Sequence, residues 1–163
     1  SSIGIGMADS RATLRRAARK VWARGEPALV ERRILGREFT VGILGEMALP
    51  IIEIRTPGGW YNYHYKYKSK RTRYVFEHGL PAPREARILE VAAAAHRSLG
   101  CRDLSRVDIM LPDEGEPQVL EINTIPGFTS HSLVPKAAAR AGLVFPKMCE
   151  RIVAMARRRA RRR

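Results

Sequence analysis

The sequence predicts an α/β domain of the α+β kind: a mostly antiparallel sheet packed with helices. Three observations carry this expectation. Apolar residues recur at helical spacing in three separate segments. Between them lie strand-like runs joined by short turns that contain Gly. The chain has 163 residues, 45% hydrophobic and 28% charged, a globular balance with enough apolar material for a sizeable core.

The elements follow in order. Residues 1–8 are rich in Ser and Gly, and a helix is expected over 10–24. Leu14, Ala17, Ala18, Val21 and Trp22 form one apolar stripe there. Asp9 or Ser10 can cap its start, and Gly25 with Pro27 ends it. Strands are expected over 28–34, 38–44 and 49–54, with Gly36 and Gly45 in the turns between them. Residues 56–74 read as a long loop containing the aromatic and basic stretch WYNYHYKYKSKRTRY, either functional, a cover for a core edge, or an exposed alternating strand.

A second helix is expected over 83–99, with Ile88, Val91, Ala92, Ala95 and Leu99 as its stripe and Gly100 as its C-terminal cap. His96 lies beside that stripe and reads as a packing or hydrogen-bonding residue, since no partner sits at ligand spacing. Strands follow at 104–111 and 118–123, then a loop, then helices at 134–141 and 146–159. Phe145, Met148, Cys149, Ile152, Val153 and Ala156 line the last helix, with Cys149 as a small core hydrophobe.

Composition excludes several classes. No run of 18 apolar residues occurs, so no helical membrane span is expected. Cys101 and Cys149 are too few for a disulfide scaffold and lack metal-type spacing, which points to a reducing, cytoplasmic setting. The chain opens on Ser1 within a small-residue loop, as a processed or cropped product would. The net charge is +14, and six of the last seven residues are Arg. That run is either a solvated helix end, where Arg suits the negative pole of the helix dipole, or an attractor of nucleic acid. No zinc-finger spacing, helix-turn-helix pattern or aromatic platform promotes the second reading.

The hairpin at 104–123 is the most informative segment. Strand alternation puts Arg106 and Asp108 on one face, with Val107, Ile109 and Leu111 on the other. Glu121 and Asn123 likewise share a face, opposite Leu120 and Ile122. Pro112 and Pro117 flank the loop Asp113-Glu114-Gly115-Glu116. A turn centred between Glu114 and Gly115 places Asp108 opposite Glu121 and Arg106 opposite Asn123. Two readings stay open. One is a ladder of cross-strand ion pairs. The other is a hard-oxygen site for magnesium and phosphate, with Glu121 bridging two ions and Arg106 stabilising charge at a reacting centre. The loop TIPGFTSHSLVP that follows can present N–H groups and hydroxyls to anions. His131 within it has no nucleophile arrangement around it in the sequence, so it is not read as a catalytic base.

The blocks SSIGIG, GREFTVGILG, LPIIEI, YHYKYKS, SRVDIML and VLEINTIPGFTSHSLVPKAA, in that order, resemble the C-terminal half of the D-alanine–D-alanine ligases, which are ATP-grasp enzymes. The resemblance implies an ATP-grasp domain over 1–156 and a basic tail over 157–163. It implies ATP-dependent joining of two D-alanines through an acyl phosphate, for peptidoglycan. ATP and two magnesium ions, with manganese as a substitute, are the implied cofactors. By matching motif position, Asp108, Glu121 and Asn123 resemble the metal ligands, and Arg106 the residue that steadies the acyl phosphate and tetrahedral intermediate. Glu31 and Ile34 fall in the adenine-cradling segment, and Glu38 resembles the ribose-binding acid. Lys66 resembles a mobile-loop lysine that reaches the phosphates. Tyr67 and Ser1 resemble members of a closure network, and Ser2 and Gly4 match a loop covering ATP. Gly127, Ser132 and Leu133 match the loop that holds the second substrate.

The resemblance also implies what is not here. The family's N-terminal domain and the first part of its central domain have no counterpart in these residues, so this chain alone is expected to be inactive. Arg32 after Glu31 and the terminal Arg run depart from the family pattern. A homodimer fits the family, and neither a membrane nor nucleic acid is an expected partner. Two other readings remain: an ATP-grasp ligase with another acceptor such as D-lactate, and a non-catalytic basic domain that binds a polyanion.

Overall fold

The computed structural model describes residues 4–57 and 71–161. The chain divides into two units, Ser1–Ile34 with Thr56–Thr72, and Leu35–Arg55 with Arg73–Arg163.

In the first unit, α1 spans Arg11–Trp22. Ser10 caps it as expected: its Oγ accepts from the Thr13 backbone N–H at 3.2 Å, and the Ser10 N–H donates to Thr13 Oγ1 at 3.0 Å. The apolar stripe is present but only Ala18 is buried, while Trp22 is 59% exposed. The run 28–34 corrects the sequence reading. It forms no ladder among the described residues, and Leu29 and Val30 are exposed. Apolar β-formers supply a surface to pack but not a partner strand, and Glu31-Arg32-Arg33 breaks the alternation that would bury one face.

The second unit is built on one antiparallel sheet. Its strands are β1 (Arg37–Leu44), β2 (Met47–Ala48), β3 (Ile52–Arg55), β4 (Arg73–Val75), β5 (Leu104–Leu111) and β6 (Gln118–Asn123). The order is β4-β3-β1-β5-β6, with β2 paired to β1. Helix α2 (Ala82–Ser98) packs on one face, and α3 (Leu133–Arg140) and α4 (Phe145–Ala160) on the other. Phe39, Val41 and Ile43 of β1 join Val107 and Ile109 of β5 against Ile88 and Ala92 of α2. Leu44, Leu49 and Ile52 meet Val134, Ala137, Ala138 and Met148 on the opposite side. No described helix is long and apolar enough to cross a membrane.

Two glycines set close approaches. A Cβ on Gly36 would lie 2.1 Å from the Leu111 carbonyl oxygen, where the chain enters β1 beside the end of β5. A Cβ on Gly42 would meet Leu49 Cδ1 and Val134 Cγ1, each at 3.0 Å, so the bare backbone there lets α3 settle on β1.

Several expectations need correction. The strand expected at 49–54 begins only at Ile52, because residues 49–51 lie outside the ladder around Pro50, which has no N–H to give; the short β2 precedes them at Met47–Ala48. The loop expected to reach Tyr74 ends in β4, which pairs with β3 through Ile54 and Tyr74. Leu99 lies past the end of α2 and is exposed. Cys149 is only half-buried and Val153 is exposed, while Met148, Ile152 and Met155 turn toward the core. His96 is buried at the foot of α2, its Nδ1 2.7 Å from Ser105 Oγ. Burial and the neighbouring Arg97 charge hold its pKa below the usual imidazole value, so it is neutral at pH 7.

Candidate functional site

β1 alternates as its sequence demands. Phe39, Val41 and Ile43 face α2, which leaves Glu38, Thr40 and Gly42 on the other side. Pairing then assembles two rows across three strands. Thr40 is opposite Asp108, and Asp108 opposite Glu121. Gly42 is opposite Arg106, and Arg106 opposite Asn123. The two β5–β6 pairs are those expected from the hairpin.

The hairpin reaches that register by a route the symmetric turn did not foresee. Nearer the turn, Ile109 pairs with Val119 and Met110 with Gln118, one residue out of step with the Asp108–Glu121 pair. Leu120 is the extra residue of a β-bulge. It is therefore 48% exposed rather than part of the apolar layer that the alternation assigned to it, whereas Ile122 does pack toward α2. The bulge re-aims Glu121 and Asn123 onto the polar face.

The side chains form a continuous network. Asp108 is buried, and its Oδ1 accepts from Thr40 Oγ1 at 2.7 Å and from Arg106 Nε at 2.8 Å. Its Oδ2 accepts from Arg106 Nη2 at 2.7 Å. The same Nη2 lies 3.9 Å from Glu121 Oε1, which accepts from Asn123 Nδ2 at 3.1 Å. Arg106 thus sits between two carboxylates, one buried and one half-exposed. The fork on Asp108 is bidentate, the geometry that makes a guanidinium–carboxylate pair strong.

Thr40 was not singled out by sequence reasoning. Alternation would have placed it on the face of Glu38, but nothing local sets β1 against β5. A second cluster was also missed. Glu53 on β3, buried on the α2 side, accepts from Arg37 Nε and Nη2, both at 2.8 Å, and from Arg55 Nη2 at 2.6 Å. Burial pushes its carboxyl up, but hydrogen bonds and charge from the two arginines outweigh this and hold its pKa below the ordinary range. Arg37 also stacks over Phe39 at 5.1 Å.

The remaining expected residues are placed as follows. Glu38 is half-buried on β1, paired with Ile54 and Met110. Ser132 precedes α3, and its Oγ accepts from the Thr129 N–H at 3.0 Å. A Cβ on Gly127 would lie 3.3 Å from that Oγ, so Gly127, Thr129 and Ser132 form one tight loop at the start of α3 with Leu133 as its first residue. Such a terminus offers free N–H groups and a favourable dipole to a carboxylate. Exposed Glu31, half-buried Ile34 and Gly4, with φ +82°, belong to the first unit. Ser1, Ser2, Lys66 and Tyr67 lie outside the described residues.

No cluster of three His, Cys, Asp or Glu side chains occurs among the described residues. The donor set on the sheet is instead two carboxylates and a carboxamide. That set fits magnesium, which takes one or two carboxylates and fills its remaining positions with water and phosphate oxygens.

An antiparallel sheet covered by helices, with acids, an amide and a guanidinium on one open strand pair, has the architecture of the second half of an ATP-grasp domain. Comparison with known proteins identifies it more closely. The family described as D-ala D-ala ligase C-terminus matches residues 1–154, and the chain belongs to that family. It is 41% identical over 153 residues to a D-alanine–D-alanine ligase of Anaeromyxobacter sp. (strain Fw109-5), covering 94% of this chain and 50% of the relative. It is 42% identical over 158 residues to that of Aromatoleum aromaticum, covering 94% of this chain and 51% of the relative. Among solved structures, the D-alanine–D-alanine ligase from Bacillus anthracis complexed with ATP superposes with a TM-score of 0.77 and 31% identity, over 91% of this chain and 47% of that one. The VanG D-Ala:D-Ser ligase from Enterococcus faecalis gives 0.80 and 32%, over 95% and 46%. The chain spans about half the length of the curated relatives it matches.

Proposed function

We propose that this domain supplies the phosphate-handling half of an ATP-dependent D-alanine–D-alanine ligase acting in the cytoplasm, whose dipeptide product serves peptidoglycan. The observation that carries this reading is the facing of Asp108 and Glu121 across one strand pair, with the Arg106 guanidinium between them. The relatives' activity supports it, and so does the ATP bound in the Bacillus anthracis ligase.

Asp108, Glu121 and Asn123 are the residues that would hold magnesium. The metal would supply neutralisation of the triphosphate charge. In the reaction, a carboxylate oxygen of the first D-alanine attacks the γ-phosphorus of ATP and ADP leaves, giving an acyl phosphate. The amine of the second D-alanine then attacks the acyl carbon. The tetrahedral intermediate collapses with loss of phosphate and of the amine proton. Arg106 is fixed by its fork on Asp108, so its charge is in place before oxyanion charge develops. The loop of Gly127, Ser132 and Leu133 receives the second carboxylate at the start of α3. By matching position in the family's motifs, adenine is assigned to Glu31 and Ile34, the ribose to Glu38, the phosphates to Lys66, the cover over ATP to Ser2 and Gly4, and the closure network to Tyr67 and Ser1.

The test is ADP release by a chimaeric ligase in which this chain replaces the matching half of a relative. Release that depends on D-alanine and magnesium is expected. Release with no D-alanine dependence, or none in a chimaera that folds and binds ATP, would overturn the assignment. A second reading, in which D-alanine is joined to a different acceptor, is favoured by the likeness to the D-Ala:D-Ser ligase. Running the same assay with D-serine and D-lactate separates the two.

A further inference from the structure

A groove of about 700 Å³ lies away from the carboxylate network, and none of that network's residues lines it. It is bordered by the β1–β2 turn, the last turns of α2, the loop at Cys101–Asp103 and the second half of α4. Its walls are tied together. The Gly45 N–H donates to the Asp103 carbonyl at 2.7 Å, and Asp103 takes a left-handed φ of 59°. Arg159 of α4 forms a salt bridge to the Asp103 carboxylate. His96 joins α2 to β5 through Ser105.

Among the described residues four arginines line the groove: Arg97, Arg102, Arg158 and Arg159. Arg159 is neutralised by Asp103. The side chains of Arg97, Arg102 and Arg158 are exposed and make no hydrogen bond or ion pair among the described residues. The other acid at the rim, Glu46, leaves three guanidinium groups facing one carboxylate. The dipole of α4 accounts for cations on its own last turn. The dipole of α2 likewise favours Arg97 in its own last turn, but neither dipole accounts for Arg102, or for two helix ends and a loop bringing their arginines to one groove. The convergence is tertiary, and like charges gathered at a concave surface repel unless an anion joins them.

We propose that this groove is an anion site for a compact polyphosphate, either free or as the phosphate tail of a nucleotide. Guanidinium forks match phosphate oxygens in pairs. The volume suits a small ligand rather than a strand of nucleic acid. Among the described residues no Phe, Tyr or Trp lines it to stack a base, so their lining provides phosphate rather than base recognition.

The test is calorimetric titration of the full 163-residue chain with inorganic tripolyphosphate in EDTA, which silences metal-dependent binding at the carboxylates. One saturable site that weakens with added salt is expected. Replacing Arg97→Gln, Arg102→Gln and Arg158→Gln together should weaken it about tenfold or more, the scale of one or two lost charge-assisted contacts. All three side chains are exposed and unpaired, so this variant keeps the fold, as circular dichroism would verify. The pair Arg157→Gln with Arg161→Gln, outside the groove, should leave affinity within about twofold. No saturable binding, or equal weakening by the outer pair, would overturn the proposal in favour of diffuse attraction to the helix end. A parallel titration with ATP in EDTA separates the sources. Binding of both ligands, abolished by the triple variant, shows a nucleotide tail to be accepted. Binding of tripolyphosphate alone restricts the site to the free anion.

Discussion

Thr40 donates its hydroxyl proton to Oδ1 of Asp108 at 2.7 Å, a buried bond between residues 68 apart in the chain. Together with the fork from Arg106, it leaves the Asp108 carboxylate little rotational freedom. A carboxylate so held is preorganised, since its position is determined before any cation or phosphate arrives.

Thr40→Val keeps the shape and removes the donor. It should lower stability by about 1–3 kcal/mol, as the loss of one bond to a buried charged acceptor does. Thr40→Ser should restore most of it. Urea denaturation of the three proteins checks both statements, and equal midpoints would show that the bond contributes nothing.

Arg106→Ala should act twice. Its proposed place beside the reacting centre predicts a fall mainly in kcat of the chimaeric ligase. Its fork on buried Asp108 predicts a stability loss of about 3–5 kcal/mol as well, because an uncompensated carboxylate remains inside. Glu121→Gln makes the useful contrast. The Glu121 side chain is half-exposed, so unfolding should shift by only about 0.5 kcal/mol while ADP release drops by about a hundredfold or more. Normal turnover in Glu121→Gln would remove it from the metal site.

Chelation gives a separate reading of the same site. EDTA should abolish ADP release by the chimaera, and added magnesium or manganese should restore it. Turnover that persists after dialysis against chelator would count against Asp108, Glu121 and Asn123 as ligands.

Gly42→Ala places a methyl against Leu49 and Val134, each of which must give way slightly, for a loss of about 1–3 kcal/mol. Gly36→Ala directs its methyl at the Leu111 carbonyl, which side-chain motion cannot relieve. Thermal melts should therefore rank Gly36→Ala below Gly42→Ala, and the reverse order would contradict the close approach of β1 to the end of β5.

The Glu53 carboxyl titrates below the ordinary glutamate value of about 4.5 when folded. Its contribution to stability is full above that value and is lost as pH falls toward the lowered, folded pKa. The stability gap between the wild type and Glu53→Gln should accordingly be largest near pH 7 and narrow below about pH 4.5. A gap that does not change between pH 7 and pH 3 would mean that Arg37 and Arg55 leave the titration of Glu53 unaltered.

The amino-acid sequence by itself determined what is local. A cap at Asp9 or Ser10 begins α1, alternation over 104–111 and 118–123 names the polar face, and a short turn between prolines brings Asp108 to Glu121 and Arg106 to Asn123. These follow from periods of 3.6 and 2 residues and from a hairpin whose short turn brings its two strands together. Even there the bulge at Leu120 escaped, because one inserted residue near a turn changes no periodicity that can be read in six residues. Only the tertiary structure decided that Thr40 supports Asp108, that two arginines enclose Glu53, that residues 28–34 form no strand, and that Arg97, Arg102 and Arg158 converge. β1 and β5 are joined through a long connection that includes α2, so their register is chosen by how both faces of the sheet pack against helices. That choice depends on side chains far apart in the chain, and no window of sequence contains it.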